Sequence, residues 1–153
     1  MIWEKRQCPV RDGVSFSTGK FIGIQLDWKE ITEDRTQTIE AVRCQNEQLL
    51  VGDSDSDMLW SDISGMYEIR DYVHNLIVEV GESAINGSHG YVVLADLREN
   101  DFRWIAYFQN SNPFDYCELK EESIIARSTL GVCLRFPVDR PQDFEVLSKI
   151  VRI

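Results

Sequence analysis

Basic residues are almost missing from the middle of this chain. Between Arg43 and Arg98 the one base is Arg70, against ten acids: Glu47, Asp53, Asp55, Asp57, Asp62, Glu68, Asp71, Glu79, Glu82 and Asp96. Residues 44–97 therefore carry −9 of the net charge of −10, and the flanks carry −1. Phosphate backbones and anionic membrane surfaces are held by clustered Lys and Arg, so this block excludes nucleic acid or a membrane as its partner. A basic protein is the partner it suits, because such a field speeds and orients the approach of opposite charge.

Other absences narrow the chemistry. The four cysteines, Cys8, Cys44, Cys117 and Cys133, form no CxxC pair, and only His74 and His89 are available to join them at a zinc site. Neither histidine sits at a zinc-finger spacing, so reduced thiols and no metal are expected. There is no G-x-S-x-G elbow, no phosphate-cradling glycine loop and no run of apolar residues long enough for a membrane span. The opening MIWEKRQCPVRDG holds no leader-like apolar stretch. The expectation is a cytoplasmic chain with no cofactor.

The acids are densest in VGDSDSDMLWSD, residues 51–62. Read as a calcium loop from Asp53, the stretch fills positions 1, 3 and 5 with Asp53, Asp55 and Asp57. It then puts Met58 where the turn needs Gly and Ser64 where the bidentate Glu belongs. QLLVGDSDSD also resembles the start of the haloacid dehalogenase family, an apolar strand followed by Asp-x-Asp. That family implies a Thr or Val where this chain has Asp57, and a parallel sheet built from strand–helix units. Both readings are rejected. Pairs such as Glu79 and Glu82 are what 26 acids produce by chance. His74 and His89 read as solvated surface residues, His89 in the turn NGSHGY.

The hydrophobic pattern predicts one α+β domain: a mostly antiparallel, twisted sheet of about six to eight strands, with two helices on it. KFIGIQLDW (20–28) alternates like a half-buried strand. IEAVRC (39–44) and QLLV (48–51) flank Gln45-Asn46-Glu47 as a short hairpin would. GYVVLADL (90–97) and FRWIAYFQ (102–109) form a second hairpin, and YCEL, SIIARS and GVCLRFPV supply further strands, the last ended by Pro137. Met66, Ile69, Val73, Leu76, Ile77 and Val80 recur at steps of three and four, which predicts a central helix over about 64–81. The rival is a strand at LIVEV, favoured by its β-branched residues; the longer period is preferred. Pro141 opens a second predicted helix over about 141–151, with Phe144, Leu147, Ile150 and Val151 as its buried stripe.

These features point to a non-enzymatic binding protein that covers a positively charged site on a basic protein. Its expected contact residues are Asp53, Asp55, Asp57, Trp60, Asp62, Glu68 and Asp71, with the acids pairing to Lys and Arg and Trp60 anchoring. In size, acidity and lack of motifs the chain resembles, as a class, the small acidic immunity proteins of bacterial toxin systems. That resemblance implies a cognate toxin as partner, with a basic nuclease-type domain. One alternative is a small-molecule-binding or catalytic domain with its pocket between sheet and helix, using His89, Cys117 or Tyr107. Another is a regulatory or scaffolding subunit.

Overall fold

The structure, a computed structural model, describes residues 6–31, 36–43, 48–49, 60–84, 87–99, 101–147 and 151–152. Its strands are β1 Gln7–Pro9, β2 Gly13–Phe16, β3 Lys20–Ile31, β4 Thr36–Arg43, β5 Gln48–Leu49, β6 Trp60–Asp71, β7 Leu76–Ser83, β8 Gly90–Asp96, β9 Phe102–Phe108, β10 Phe114–Lys120, β11 Ser123–Ser128, β12 Cys133–Pro137, β13 Glu145–Val146 and β14 Val151–Arg152. They build two antiparallel sheets. The larger runs β1-β6-β7-β8-β9-β2-β3-β4-β14, with β5 beside β3; the smaller runs β10-β11-β12-β13.

The expected α+β architecture is therefore wrong, and so are both helices. Among the described residues the one helical element is a 3-10 turn over Pro141–Asp143. The apparent central helix is the β6–β7 hairpin. The step from Met66 to Ile69 arises from a bulge: Gly65 pairs with Gly81 and Tyr67 with Val80, leaving Met66 as the extra residue and shifting the phase of the strand. Val73, one of the supposed stripe residues, is 88% exposed in the turn. There Asp71 Oδ1 accepts from the amides of Val73 and His74, and Asn75 takes a left-handed φ of 59°. LIVEV is a strand because Leu76, Ile77, Val78 and Val80 are all buried, β7 being covered on both faces; a doubly covered strand loses its alternation.

At the C-terminal end the chain leaves the 3-10 turn in extended conformation at Phe144. Phe144 packs against Phe108 and Phe136, with ring centroids 5.5 and 5.1 Å away. β13 then pairs with β12, and β14 with β4. Leu147 of the supposed stripe is half-exposed, and Ile150 lies outside the described residues. The expected 39–51 hairpin does not form either. β4 and β5 both pair antiparallel with β3 and so run in the same direction; Gln45, Asn46 and Glu47 lie outside the described residues. The hairpin of β8 and β9 and the strands β10 to β12 stand where the sequence puts them.

One short link shapes the larger sheet. β1 and β2 are separated only by residues 10–12, yet β6, β7, β8 and β9 lie between them in the sheet. Laid flat, β1 and β2 would stand about 24 Å apart, whereas the chain from Pro9 to Gly13 reaches about 14 Å. The sheet must curl. Its convex face carries Val14, Ile22, Ile24, Leu26, Val78, Val80, Val92, Leu94, Trp104, Ala106 and Phe108. These share a core with Phe114, Cys117, Ile124, Ala126, Leu134 and Phe136 of the smaller sheet. Its concave face holds a second cluster of Cys8, Tyr91, Val93, Ile105 and Tyr107.

Two substitutions test this account. A Cβ on Gly81 would overlap the Ser64 carbonyl oxygen across the bulge, so Gly81→Ala is expected to cost about 2 kcal/mol or more in urea unfolding. Glu121 and Glu122, between β10 and β11, sit at φ of 51° and 62°, a conformation that suits Asn-Gly. Glu122→Gly is expected to raise stability by about 0.5–1 kcal/mol.

Candidate functional site

The seven expected contact residues divide into three groups. Asp53, Asp55 and Asp57 lie outside the described residues. Trp60, Asp62, Glu68 and Asp71 all fall on β6, at the side of the larger sheet. The bulge then splits them. Trp60, Asp62 and Ser64 share one face, and beyond the bulge Glu68 and Arg70 turn to the other, opposite the concave-face residues Glu79 and Ile77.

Trp60 is 39% exposed, and Met66 and Tyr67 are also exposed. Asp62 accepts a hydrogen bond from Gln7 Nε2 at 3.1 Å, and Arg70 Nη2 lies 3.2 Å from Glu68. Asp71 is committed to the turn: besides two amides it takes His74 Nδ1 at 2.7 Å. These bonds from His74, with those from the backbone, hold its carboxyl below the usual carboxylate range.

Glu79 and Glu82 are no pair, since adjacent registers put them on opposite faces of β7. Glu79 is buried on the concave face. Its carboxylate meets Arg6 Nη1 at 2.7 and 2.9 Å and accepts from the Tyr91 hydroxyl at 2.6 Å. Burial, with the neighbouring Glu79 charge, drives the Tyr91 phenol far up. Arg6 thereby ties the residue before β1 to β7 on the concave face.

The same face buries Ser61, Ser83, Tyr107 and His89 in one hydrogen-bonded chain. Ser61 Oγ is 2.9 Å from Ser83 Oγ, Ser83 bonds to Tyr107, and the Tyr107 hydroxyl bonds to His89 Nδ1. Burial pushes the Tyr107 phenol up to about 12 and holds the His89 imidazole below its ordinary value. With neutral His89 as acceptor the Tyr107 hydroxyl donates to Nδ1, while the Ser61 hydroxyl also reaches the Asp62 carbonyl oxygen, to which it donates at 2.9 Å. His89 is thus no solvated turn residue.

The catalytic alternative loses its geometry here. Among the described residues there is no helix to roof a pocket, and Cys117 lies in the core between the sheets while His89 and Tyr107 lie on the concave face. The Cys8 and Cys117 thiols are pushed up to about 12 by burial, which keeps them protonated and poor nucleophiles.

A cleft that the sequence did not announce opens where the β6–β7 turn meets the β10–β11 turn. It measures about 390 Å³ and is lined by Asp71, His74, Leu76, Arg103, Leu119, Glu121, Glu122, Val138 and Asp139. The available signal was Glu121-Glu122 between two strand-like runs, a pair of acids at a two-residue turn. Among the described residues no group of His, Cys, Asp and Glu is arranged to hold a metal ion, and no helix is long and apolar enough to cross a membrane. Comparison with protein-family models, curated proteins and solved structures returned no match.

Two measurements check the buried polar groups. Tyr91→Phe is expected to cost about 1–2 kcal/mol, and Arg6→Ala more, because it strands the Glu79 carboxylate. His89 is held neutral in the fold, so the unfolded chain takes up a proton as pH falls through 6.5, the ordinary value. Stability should therefore fall below that pH, and His89→Gln, which keeps an acceptor for Tyr107, should flatten the slope in unfolding curves from about pH 7.5 to 5.5.

Proposed function

We propose that this chain is a non-enzymatic binding protein for a basic protein partner, and that in the cell it is a cytoplasmic immunity protein of a bacterium, neutralising a cognate toxin. The observation that carries the reading is β6: exposed Trp60 and Tyr67 share one face of the strand with Asp62, exposed Met66 stands at the bulge between them, and Glu68 lies on the other face of the same strand. Large rings and a methionine supply contact area at an interface, while the acids steer and select an opposite charge.

The charge map supports the same reading. Much of the acidic stretch forms β6, β7 and β8, which are neighbours in the sheet, and of its acids Asp62 and Glu68 remain exposed on β6. A nuclease-type toxin fits as partner because it must be positive to hold its own substrate, and an acidic inhibitor competes for that surface.

Capture from the native host tests this. Immobilised chain should retain a basic protein at low salt and release it at high salt, as screened charges require. Trp60→Ala/Asp62→Lys/Glu68→Lys should weaken capture by about tenfold or more. The captured protein should arrest growth when expressed alone and not when expressed with this chain. Equal capture by the triple variant would remove the site assignment, and a harmless partner would remove the immunity role.

A further inference from the structure

The cleft at the turn end of the two sheets has a floor and a rim of different chemistry. Leu76 from β7, Leu119 from β10 and Val138 after β12 make an apolar floor. Asp71, Glu121, Glu122 and Asp139 place four carboxylates around it, against one guanidinium and one imidazole. Both bases are already engaged. Arg103 is forked onto Asp96 at 2.6 and 3.0 Å, and His74 is bound to Asp71. Among the described residues no hydrogen bond or ion pair engages the carboxylates of Glu121 and Glu122.

We propose that this cleft receives an arginine or lysine side chain from a basic segment of the protein partner. The inference rests on the reading of a basic partner given above and adds a second contact point, at the far end of β6 from Trp60. The alkyl stem of the incoming side chain lies on Leu76, Leu119 and Val138, and its cationic head meets Glu121, Glu122 and Asp139. Long basic side chains bury their stems on apolar surface while the head stays polar, and charge-assisted hydrogen bonds to carboxylates fix the head. Among the described residues no group of His, Cys, Asp and Glu is arranged to hold a metal ion, and the apolar floor suits a cation carried on an alkyl stem.

A peptide segment is favoured over a free polyamine by what adjoins the cleft. Tyr72 and Val73, 76% and 88% exposed, project from the turn whose flanking Asp71 and His74 line the cleft. They extend the apolar contact beyond what a small diamine covers. A second copy of this chain is disfavoured, since it would bring another net charge of −10 against an acidic rim.

The probe is an N-acetylated, C-amidated tetra-arginine peptide titrated into the isotope-labelled full chain and followed by amide resonances. A tetra-citrulline peptide, matched in shape and uncharged, and spermidine form the other arms. Tetra-arginine should shift the amides of Leu76, Leu119, Glu121 and Val138, and tetra-citrulline should not. Glu121→Gln/Glu122→Gln/Asp139→Asn should weaken tetra-arginine binding about tenfold. The proposal is overturned by silence in the cleft at millimolar peptide, by shifts confined to the Trp60 end of β6, or by unchanged affinity in the triple variant. Spermidine binding as tightly as the peptide would overturn the peptide as occupant. If Trp60 and Asp62 govern capture of the partner and the cleft variant does not, the cleft is removed while the partner reading stands.

Discussion

The link between β1 and β2 is too short for a flat sheet, and much of the molecule follows from that limit. Three residues must join a strand on the outer side of β6 to one on the far side of β9. Curling the sheet brings those positions together and gives it two unlike faces. The convex face is apolar and is covered by the smaller sheet. The concave face packs Cys8 of β1 on Tyr91, Val93, Ile105 and Tyr107.

The concave face is also where buried polarity collects. Glu79, Tyr91, Tyr107, His89, Ser61 and Ser83 are all out of solvent there, and each has a hydrogen-bond partner. Burying a carboxylate is costly unless it is paired and bonded, and Arg6 and Tyr91 together meet that need. These groups therefore specify how Arg6 and β1 lie against the sheet. Tyr91, Tyr107 and His89 are thereby committed to the fold, while exposed acids and rings remain on β6 and at the turn-end cleft.

The acidic block is sorted by this fold into groups with separate roles. Glu79 goes inside, Asp71 holds a turn, Asp96 clamps Arg103, and Asp62 and Glu68 remain on the surface. A count of charges along the chain cannot make that distinction, because it depends on the face of a strand and the partner across it. The bulge at Met66 shows the same limit. The bulge residue Met66, the exposed turn residue Val73 and a β7 buried on both faces together left spacings of three and four, and the period then read as a helix.

What the sequence by itself determined was local: the β8–β9 hairpin, the strands β10 to β12, and the concentration of negative charge between residues 44 and 97. Such features depend on neighbours a few positions apart, so alternation, turn residues and composition suffice to read them. Only the tertiary structure decided that LIVEV is a strand buried on both faces, that Phe144 enters the core without a helix, and that Trp60 is exposed. Only it brought Glu121 and Glu122 to the rim of a cleft with Asp71, and His89 to Tyr107. Each of these outcomes rests on contacts between distant segments, which burial and sheet curvature select and a linear pattern does not encode.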